Sequence, residues 1–166
     1  DIDGEAALDQ SGWSVSLSSN GTIVAIGSFK NAGNGYRSGH VRVYQYSDPS
    51  WSQLGSDIDG EAVYDYSGHS VSLNDDGTIL AIGAYGKNSY AGCVRVYEYS
   101  GGSWSKLGSD IDAENANDNS GRSVSLNDDG TIVAIGATGK NSYAGCVRVY
   151  QYSEYSDPSW SQLGSD

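Results

Sequence analysis

The chain of 166 residues has no Met, a single Phe, two Pro and two Cys, and it carries nine Lys and Arg against 21 Asp and Glu. The few positive charges are scattered singly, so the basic patch that binds nucleic acid or an anionic membrane surface is missing. No apolar run approaches the roughly 18 residues of a membrane-spanning helix. We therefore expect no nucleic-acid partner and no membrane insertion.

Glycine, tyrosine and negative charge are abundant instead. There are 23 Gly and 13 Tyr, and the formal net charge is −12. A surface of this charge favours solubility and attracts cations. Because the sequence has no initiator Met and no signal-peptide pattern at its start, we expect a processed product or a fragment.

The sequence consists of three copies of one unit. The motif Asp-Ile-Asp-Gly-Glu-Ala opens the chain, recurs from Asp57, and recurs in the form Asp-Ile-Asp-Ala-Glu from Asp110. Repeats of about 50 residues indicate an array of similar supersecondary units. We define the repeats as 1–56, 57–109 and 110–166, where Asp166 would open a fourth copy, and their length differences mark loops.

Each repeat predicts four short strands. In the first repeat, residues 13–17 alternate apolar and small polar side chains, which is typical of a strand. An Asn-Gly turn at Asn20 follows, replaced by Asp-Gly at Asp76 and Asp129, and these pairs favour tight hairpins. An apolar strand at 22–27, a strand at 41–46 and a last strand at 50–55 complete the unit. No segment has a helical stripe of useful length.

Tandem four-stranded units of this length predict an all-β fold of β-propeller blades, with three four-stranded antiparallel repeats. The first two strands carry small side chains and suit the crowded axis. The last two carry Arg, Tyr and Trp and suit the wide outer part of a blade. A parallel β-helix has much shorter turns. Propellers have about four to eight blades, so we expect a half-ring that pairs with itself, a filament, or part of a larger propeller.

The motif Ser-Gly-x-Ser-Val-Ser-Leu, an Asp-Gly or Asn-Gly turn, Ile-Val-Ala-Ile-Gly-Ala and Gly-x-Val-Arg-Val-Tyr resembles the FG-GAP repeat, in all three copies. That repeat builds the seven-bladed propeller of integrin α chains and of many surface proteins. The Gly of "FG" is kept at Gly12, Gly68 and Gly121, whereas its Phe and the Pro of "GAP" are absent. The resemblance implies an extracellular or cell-surface location. The hairpin after the first strand is too short for the family's calcium loop.

Acidic residues recur with fixed spacing in the opening stretch of every repeat. Such spacing gathers oxygen ligands for Ca²⁺, although the Gly and Glu of a tight calcium loop are missing. The alternatives are turn capping and pairing with Arg42, Arg95 and Arg148. The candidate metal ligands are Asp1, Asp3, Glu5, Asp9, Asp57, Asp59, Glu61, Asp65, Asp110, Asp112, Glu114 and Asp118. The expected cofactor is therefore none or Ca²⁺.

Signals for catalysis and for zinc are weak. The sequence has no Gly-x-Ser-x-Gly elbow, no His-Glu-x-x-His pair and no Cys-x-x-Cys. Cys93 and Cys146 occupy equivalent positions in adjacent repeats, too far apart for a disulfide. His69 stands where the first repeat has Trp13 and the third has Arg122. A position that varies in this way between repeats indicates a variable binding surface and not a reaction centre. We predict a protein that is not an enzyme.

The variable positions predict a surface for partners. The side chains Trp13, His69 and Arg122 follow a fixed Ser-Gly near one mouth of the ring, and the nearby loops carry Tyr36, Tyr90 and Tyr143. Tyr and Trp combine a large contact area with a polar group, which suits protein or glycan ligands. The sequence also has one glycosylation sequon, at Asn20.

Together these features predict a non-enzymatic extracellular propeller for adhesion, protein interaction or structural self-assembly. Its partners would be itself or further blades of a longer chain. The alternative is a lectin-type propeller that binds carbohydrate, and a hydrolase is the third and weakest interpretation.

Overall fold

A computed structural model describes residues 1–154 and 158–164. It confirms the all-β prediction of three antiparallel sheets in series along the chain, each built on the four predicted strands, and a short fifth strand extends the first two sheets. Residue Asp166, the predicted start of a fourth copy, lies outside the described residues.

Every sheet has its strands in sequence order from the innermost outwards. The first sheet contains β1 (Ser14–Leu17), β2 (Ile23–Ser28), β3 (His40–Ser47) and β4 (Ser50–Gln53), with β5 (Ile58–Asp59) paired to β3. The second contains β6 (Ser70–Leu73), β7 (Ile79–Ala84), β8 (Cys93–Ser100) and β9 (Ser103–Lys106), with β10 (Ile111–Asp112) paired to β8. The third contains β11 (Ser120–Leu126), β12 (Ile132–Ala137), β13 (Cys146–Ser153) and β14 (Ser159–Leu163).

The predicted tight turn joins the first two strands of each sheet. In the first sheet Gly21 has a φ of 72°, a conformation that Gly adopts at little cost. Asn20 Oδ1 accepts hydrogen bonds from the backbone N–H and the hydroxyl of Thr22. Asp76 and Asp129 bond the equivalent threonines in the same way. The short side chain at this position therefore fixes the turn in all three repeats.

The outer edge of a sheet is assembled from two repeats. The strand β4 pairs with one half of β3, and β5 pairs with the other half, placing Ile58 opposite Val41 and Asp59 opposite His40. The strand β10 pairs with β8 in the same manner. The first residues of a sequence repeat thus belong to the sheet of the preceding repeat, and the sequence repeats and the sheets are out of phase.

Apolar side chains fill the spaces between sheets. One core contains Val41, Ile58, Leu73 and Leu80 at the interface of the first two sheets, and a second contains Val94 and Val133 at the next interface. The strand β6 packs against both β1 and β11, as expected if the small side chains line an axis. Contacts between neighbouring sheets therefore contribute to stability in addition to each sheet's own hydrogen bonds.

Glycine permits this close approach. A Cβ at Gly27 would collide with the carbonyl oxygen of Gly68 on the next sheet, and a Cβ at Gly83 would collide with that of Gly121. Ser14 Oγ donates a hydrogen bond of 2.8 Å to the same carbonyl of Gly68.

Helical structure is limited to two short turns, α1 (Lys87–Tyr90) and α2 (Lys140–Tyr143), in the loops after the second strands. Both contain residues with left-handed dihedrals, such as Asn88 at a φ of 51°. Among the described residues, no helix is long and apolar enough to cross a membrane.

Candidate functional site

A continuous row of rings crosses one end of the three sheets, and we call it the aromatic band (Trp13, Phe29, His69, Tyr85 and Arg122). The Trp13 ring centroid lies 4.7 Å from that of Phe29 and 5.7 Å from that of His69. His69 lies 4.6 Å from Tyr85, and the Arg122 guanidinium lies 4.5 Å above the Tyr85 ring. Three of the predicted partner residues, one from each repeat, are thus joined in a single surface.

The strand ends position the band. Trp13, His69 and Arg122 each follow a glycine of positive φ at the start of the innermost strand. Phe29 and Tyr85 follow the last residue of the adjacent second strand. Because these two strands are antiparallel, the start of one meets the end of the other, and the side chains converge.

Burial and positive charge keep the centre of the band neutral. Burial lowers the pKa of His69, and the nearby Arg122 guanidinium lowers it further. His69 Nδ1 is buried and has no hydrogen-bond partner among the described residues. Burial also raises the pKa of Tyr85, with Arg122 opposing the effect. At neutral pH the band presents uncharged rings with a cation at one end.

A second group of tyrosines extends the band. Tyr66 stacks on Tyr85 with a centroid distance of 5.1 Å and reaches Tyr90 at 6.4 Å. Tyr36 meets Tyr64 edge to face at 5.5 Å. A groove of about 610 Å³ runs beside Tyr64 and Tyr90.

The remaining predicted tyrosine, Tyr143, is exposed and has no ring contact with the described residues. Sequence analysis missed Phe29 and Tyr85 as members of the site. The available signal was an aromatic residue directly after the second strand in two of the three repeats.

Two acidic residues of the second repeat and one of the third surround a buried arginine. Arg95 lies 2.9 Å from Glu61, 3.3 Å from Asp65 and 2.9 Å from Asp110. Burial alone would raise the pKa of Asp110, but hydrogen bonds from Lys106 and Lys87 lower it to about 2. Burial raises the pKa of Asp65, with Arg95 opposing the effect. These carboxylates neutralise a buried cation, one of the alternatives considered above.

The other arginines pair in related ways. Arg148 lies 2.8 Å from Glu114. Arg42 donates a hydrogen bond of 2.9 Å to the carbonyl oxygen of Asp3 and lies 3.6 Å from Glu5. Every repeat therefore places its arginine against its own acidic stretch.

The candidate calcium ligands of one repeat are divided between two sheets. Asp57 and Asp59 lie beside His40 of the first sheet, whereas Glu61 and Asp65 lie beside Arg95 of the second. The reason is that β5 extends the edge of the preceding sheet, which separates the two pairs. The expected convergence of positions 1, 3, 5 and 9 of the repeat on one point is not seen here. The candidate ligands Asp1, Asp3 and Asp112 are exposed, and Asp9 and Asp118 are buried.

Cys93 is buried and Cys146 is half-buried, and both are free thiols. Burial raises the pKa of Cys93 to about 12, so its reactive thiolate form is suppressed at neutral pH. The sequon residue Asn20 is exposed, and its side-chain oxygen caps the turn described above.

Comparison with solved structures identifies the class of fold. The chain is similar to Sqt1 of Saccharomyces cerevisiae, with a TM-score of 0.60 and 18% identity over 98% of this chain and 37% of that one. It is similar to a putative 6-phosphogluconolactonase of Bacteroides uniformis, with a TM-score of 0.61 and 11% identity over 91% and 39%. It is also similar to the β-propeller domain of the Trilobed protease of Pyrococcus furiosus, with a TM-score of 0.51 and 14% identity over 91% and 42%.

These similarities define a β-propeller fold, and the three sheets are its blades. The chain spans about two fifths of the length of these three structures. No family profile and no curated protein matches the sequence.

Proposed function

We propose that the chain is a non-enzymatic protein-interaction module whose first partner is a second copy of itself, joined end to end. The propeller fold supports an interaction role in general. The observation that carries the proposal is that the two outer blades expose the surfaces that meet at both internal interfaces. The extracellular setting implied by the resemblance to FG-GAP repeats is part of the proposal.

The first blade exposes one half of an interface. Val15 and Leu17 on β1 are 63% and 58% exposed. Their counterparts on β6, Val71 and Leu73, are 9% and 7% exposed because the first blade covers them. Each fully buried aliphatic side chain contributes about 1.5–3 kcal/mol, so covering Val15 and Leu17 would stabilise an assembly considerably.

The third blade exposes the complementary half. Val41 and Val94 are fully buried, each opposite an Ile from the start of the following repeat. The equivalent Val147 is 69% exposed. Residue Ile2, which begins the first repeat as Ile58 begins the second, is the matching side chain, and in a second copy it would lie opposite Val147.

One tryptophan side chain forms a hydrogen bond across each internal interface. Trp104 Nε1 donates a hydrogen bond of 2.8 Å to the carbonyl oxygen of Leu54, and Trp160 Nε1 donates one of 2.9 Å to that of Leu107. Each bond joins a blade to the blade before it. In an end-to-end pair, Trp51 of one copy would donate to the carbonyl oxygen of Leu163 in the other.

A second copy is favoured over an unrelated partner because its complementary face continues two interfaces that already exist within the chain. Contacts of this kind use two different surfaces, so they close into a ring or extend into a filament. Two copies supply six blades, within the range of about four to eight found in closed propellers.

The test measures mass in solution by size-exclusion chromatography with light scattering over a range of concentrations. We expect oligomers of the natural chain, whereas Leu17→Lys and Val147→Lys each yield monomers. The control is Ser105→Lys, which places a lysine on the exposed edge of the middle blade and leaves the oligomers intact.

Mixing the two variants provides the sharpest result. Leu17→Lys retains an intact third blade and Val147→Lys an intact first blade, so an equal mixture should form dimers and nothing larger. A monomeric natural chain, or oligomers that survive both substitutions, would overturn the proposal.

A second candidate function is carbohydrate binding by the aromatic band, supported by the exposed Trp13 ring in contact with Phe29 and His69. Aromatic faces stack on sugars and their polar edges provide orientation. Binding to a glycan array that disappears in Trp13→Ala but persists in Tyr143→Ala would support this function. An array without signal would exclude it.

A further inference from the structure

A compact group of metal-binding side chains lies at the edge of the first blade. His40, the first residue of β3, is 2% exposed. Its Nδ1 atom lies 3.8 Å from Glu5 Oε2, 3.9 Å from Asp57 Oδ2 and 3.9 Å from Asp59 Oδ1. These separations are too long for hydrogen bonds.

The His40 side chain has no hydrogen bond with any described residue, and Nδ1 faces the space between the three carboxylates. The ligand atoms of Glu5, His40 and Asp57 all lie within 4.8 Å of one another. Ligands at about 2.1 Å from a shared ion are separated by roughly 3–3.5 Å, so the three side chains would have to close by about 0.3–1.3 Å around an ion.

In the second blade, two lysines balance the equivalent acids. There Lys87 Nζ lies 2.7 Å from both Asp110 and Asp112, and Lys106 Nζ bridges Glu61 and Asp110 at 2.9 Å and 2.6 Å. Two lysines thus supply positive charge beside Arg95, which itself binds Glu61 and Asp110.

The first blade retains the acids and lacks both lysines. Asn31 occupies the place of Lys87, because its carbonyl oxygen accepts a bond from Gly39 as that of Lys87 does from Gly92. Gln53 occupies the place of Lys106, opposite the equivalent tyrosine of the third strand.

These replacements leave the acids poorly balanced. The Asn31 amide donates to Asp9, and Gln53 Nε2 donates a bond of 2.6 Å to Asp57 Oδ1. Neither brings charge, and Arg42 is the cation that pairs here, 3.6 Å from Glu5. The first blade therefore has an excess of negative charge around a buried imidazole.

We infer that His40, Glu5 and Asp57 form a binding site for a divalent transition-metal ion of the Zn²⁺ type, with Asp59 as a further carboxylate. Imidazole nitrogen with carboxylate oxygens suits such ions, whereas Ca²⁺ takes oxygen ligands throughout. The bond from Gln53 to Asp57 Oδ1 orients that carboxylate and leaves Oδ2 directed at the ion. The bound ion would fasten the start of the chain to the edge of the first blade.

The test titrates Zn²⁺ into chelator-treated, desalted protein by isothermal calorimetry, with Ca²⁺ as the comparison. We expect one Zn²⁺ per chain and no comparable heat with Ca²⁺. His40→Asn should weaken binding at least tenfold, and the matched control His69→Asn should leave it unchanged.

Because His40 is buried, a His40 variant that fails to fold would not test the site, so two further variants are used. Asn31→Lys introduces the lysine of the second blade and should displace Zn²⁺ while circular dichroism retains the strand signal. Asp57→Asn should weaken binding at least tenfold at an exposed position. No Zn²⁺ binding, or full binding in both variants, would overturn the inference.

A spectroscopic measurement separates this site from the thiols. Co²⁺ bound through His40 and carboxylates gives visible absorption without a thiolate charge-transfer band. A strong thiolate band that disappears in Cys93→Ala would assign the metal to the second blade and overturn the inference.

Discussion

Replacement of Arg95 by Met should be among the most destabilising single substitutions in this chain. Arg95 is buried and contacts three carboxylates at 2.9–3.3 Å. Lys87 and Lys106 would still neutralise Asp110. Asp65, itself buried, would lose both of its bonds from the guanidinium.

The size of the stability loss in Arg95→Met depends on the buried Asp65 carboxylate, which would lose its positive partner. Breaking a buried ion pair by removing one member costs about 3–5 kcal/mol, because the other charge stays in a poorly solvated place. The equivalent change Arg42→Met removes a bond to the carbonyl of Asp3 and a 3.6 Å contact with the half-exposed Glu5. That loss should be only about 1 kcal/mol.

The assay is urea unfolding at pH 7, with every variant at the same protein concentration, because association would shift the midpoint. The double variant Asp65→Asn with Arg95→Met should recover part of the lost stability, since the amide carries no charge. Equal losses for Arg95→Met and Arg42→Met, or no recovery in the double variant, would refute the reasoning.

Three other predictions use the same unfolding assay. Gly83→Ala should cost about 1–3 kcal/mol, since its Cβ would collide with a backbone carbonyl of the next blade, whereas Gly136→Ala should cost less because its Cβ meets mainly a side chain. Asp110→Asn should cost about 2 kcal/mol at pH 7, because the folded pKa of about 2 lies below the ordinary 3.8. A carboxyl with a depressed pKa stabilises above pH 4, so this difference should vanish as the pH falls from 4 to 2. Trp104→Phe should cost about 1 kcal/mol through the lost bond to Leu54, and an unchanged midpoint would contradict that estimate.

Local patterns were sufficient to predict the strands and their turns. Strict alternation before Asn20-Gly21 and a continuous apolar run after it identify the first hairpin, and both strands form there. The outer edge could not be predicted in this way. The strand β5 has two residues, too few for any periodicity, and it pairs according to the neighbouring sheet.

The candidate sites also differ in how far the sequence alone could predict them. Trp13, His69 and Arg122 occupy one aligned position, so the sequence alone could place them on one surface. Asn31 and Lys87 are each the third residue after the second strand of their blade, so the sequence alone could align them, and the shared backbone bond agrees with that alignment. The sequence could not show that Glu5, Asp57 and Asp59 converge on His40, because that convergence follows from the pairing of β5 with β3.

The phase difference between the sequence repeats and the blades has a consequence for any attempt to cut, shuffle or extend this chain. A copy excised at residues 57 and 109 would leave behind the segment that completes its own outer edge, and it would carry away the segment that completes its neighbour's. A unit that begins near residue 66 and ends at Asp112 would instead keep each strand with its partners. Duplication of the sequence unit therefore adds a repeat whose first strand already pairs with the preceding blade. Removal of a repeat, in contrast, leaves the preceding blade with an incomplete outer edge.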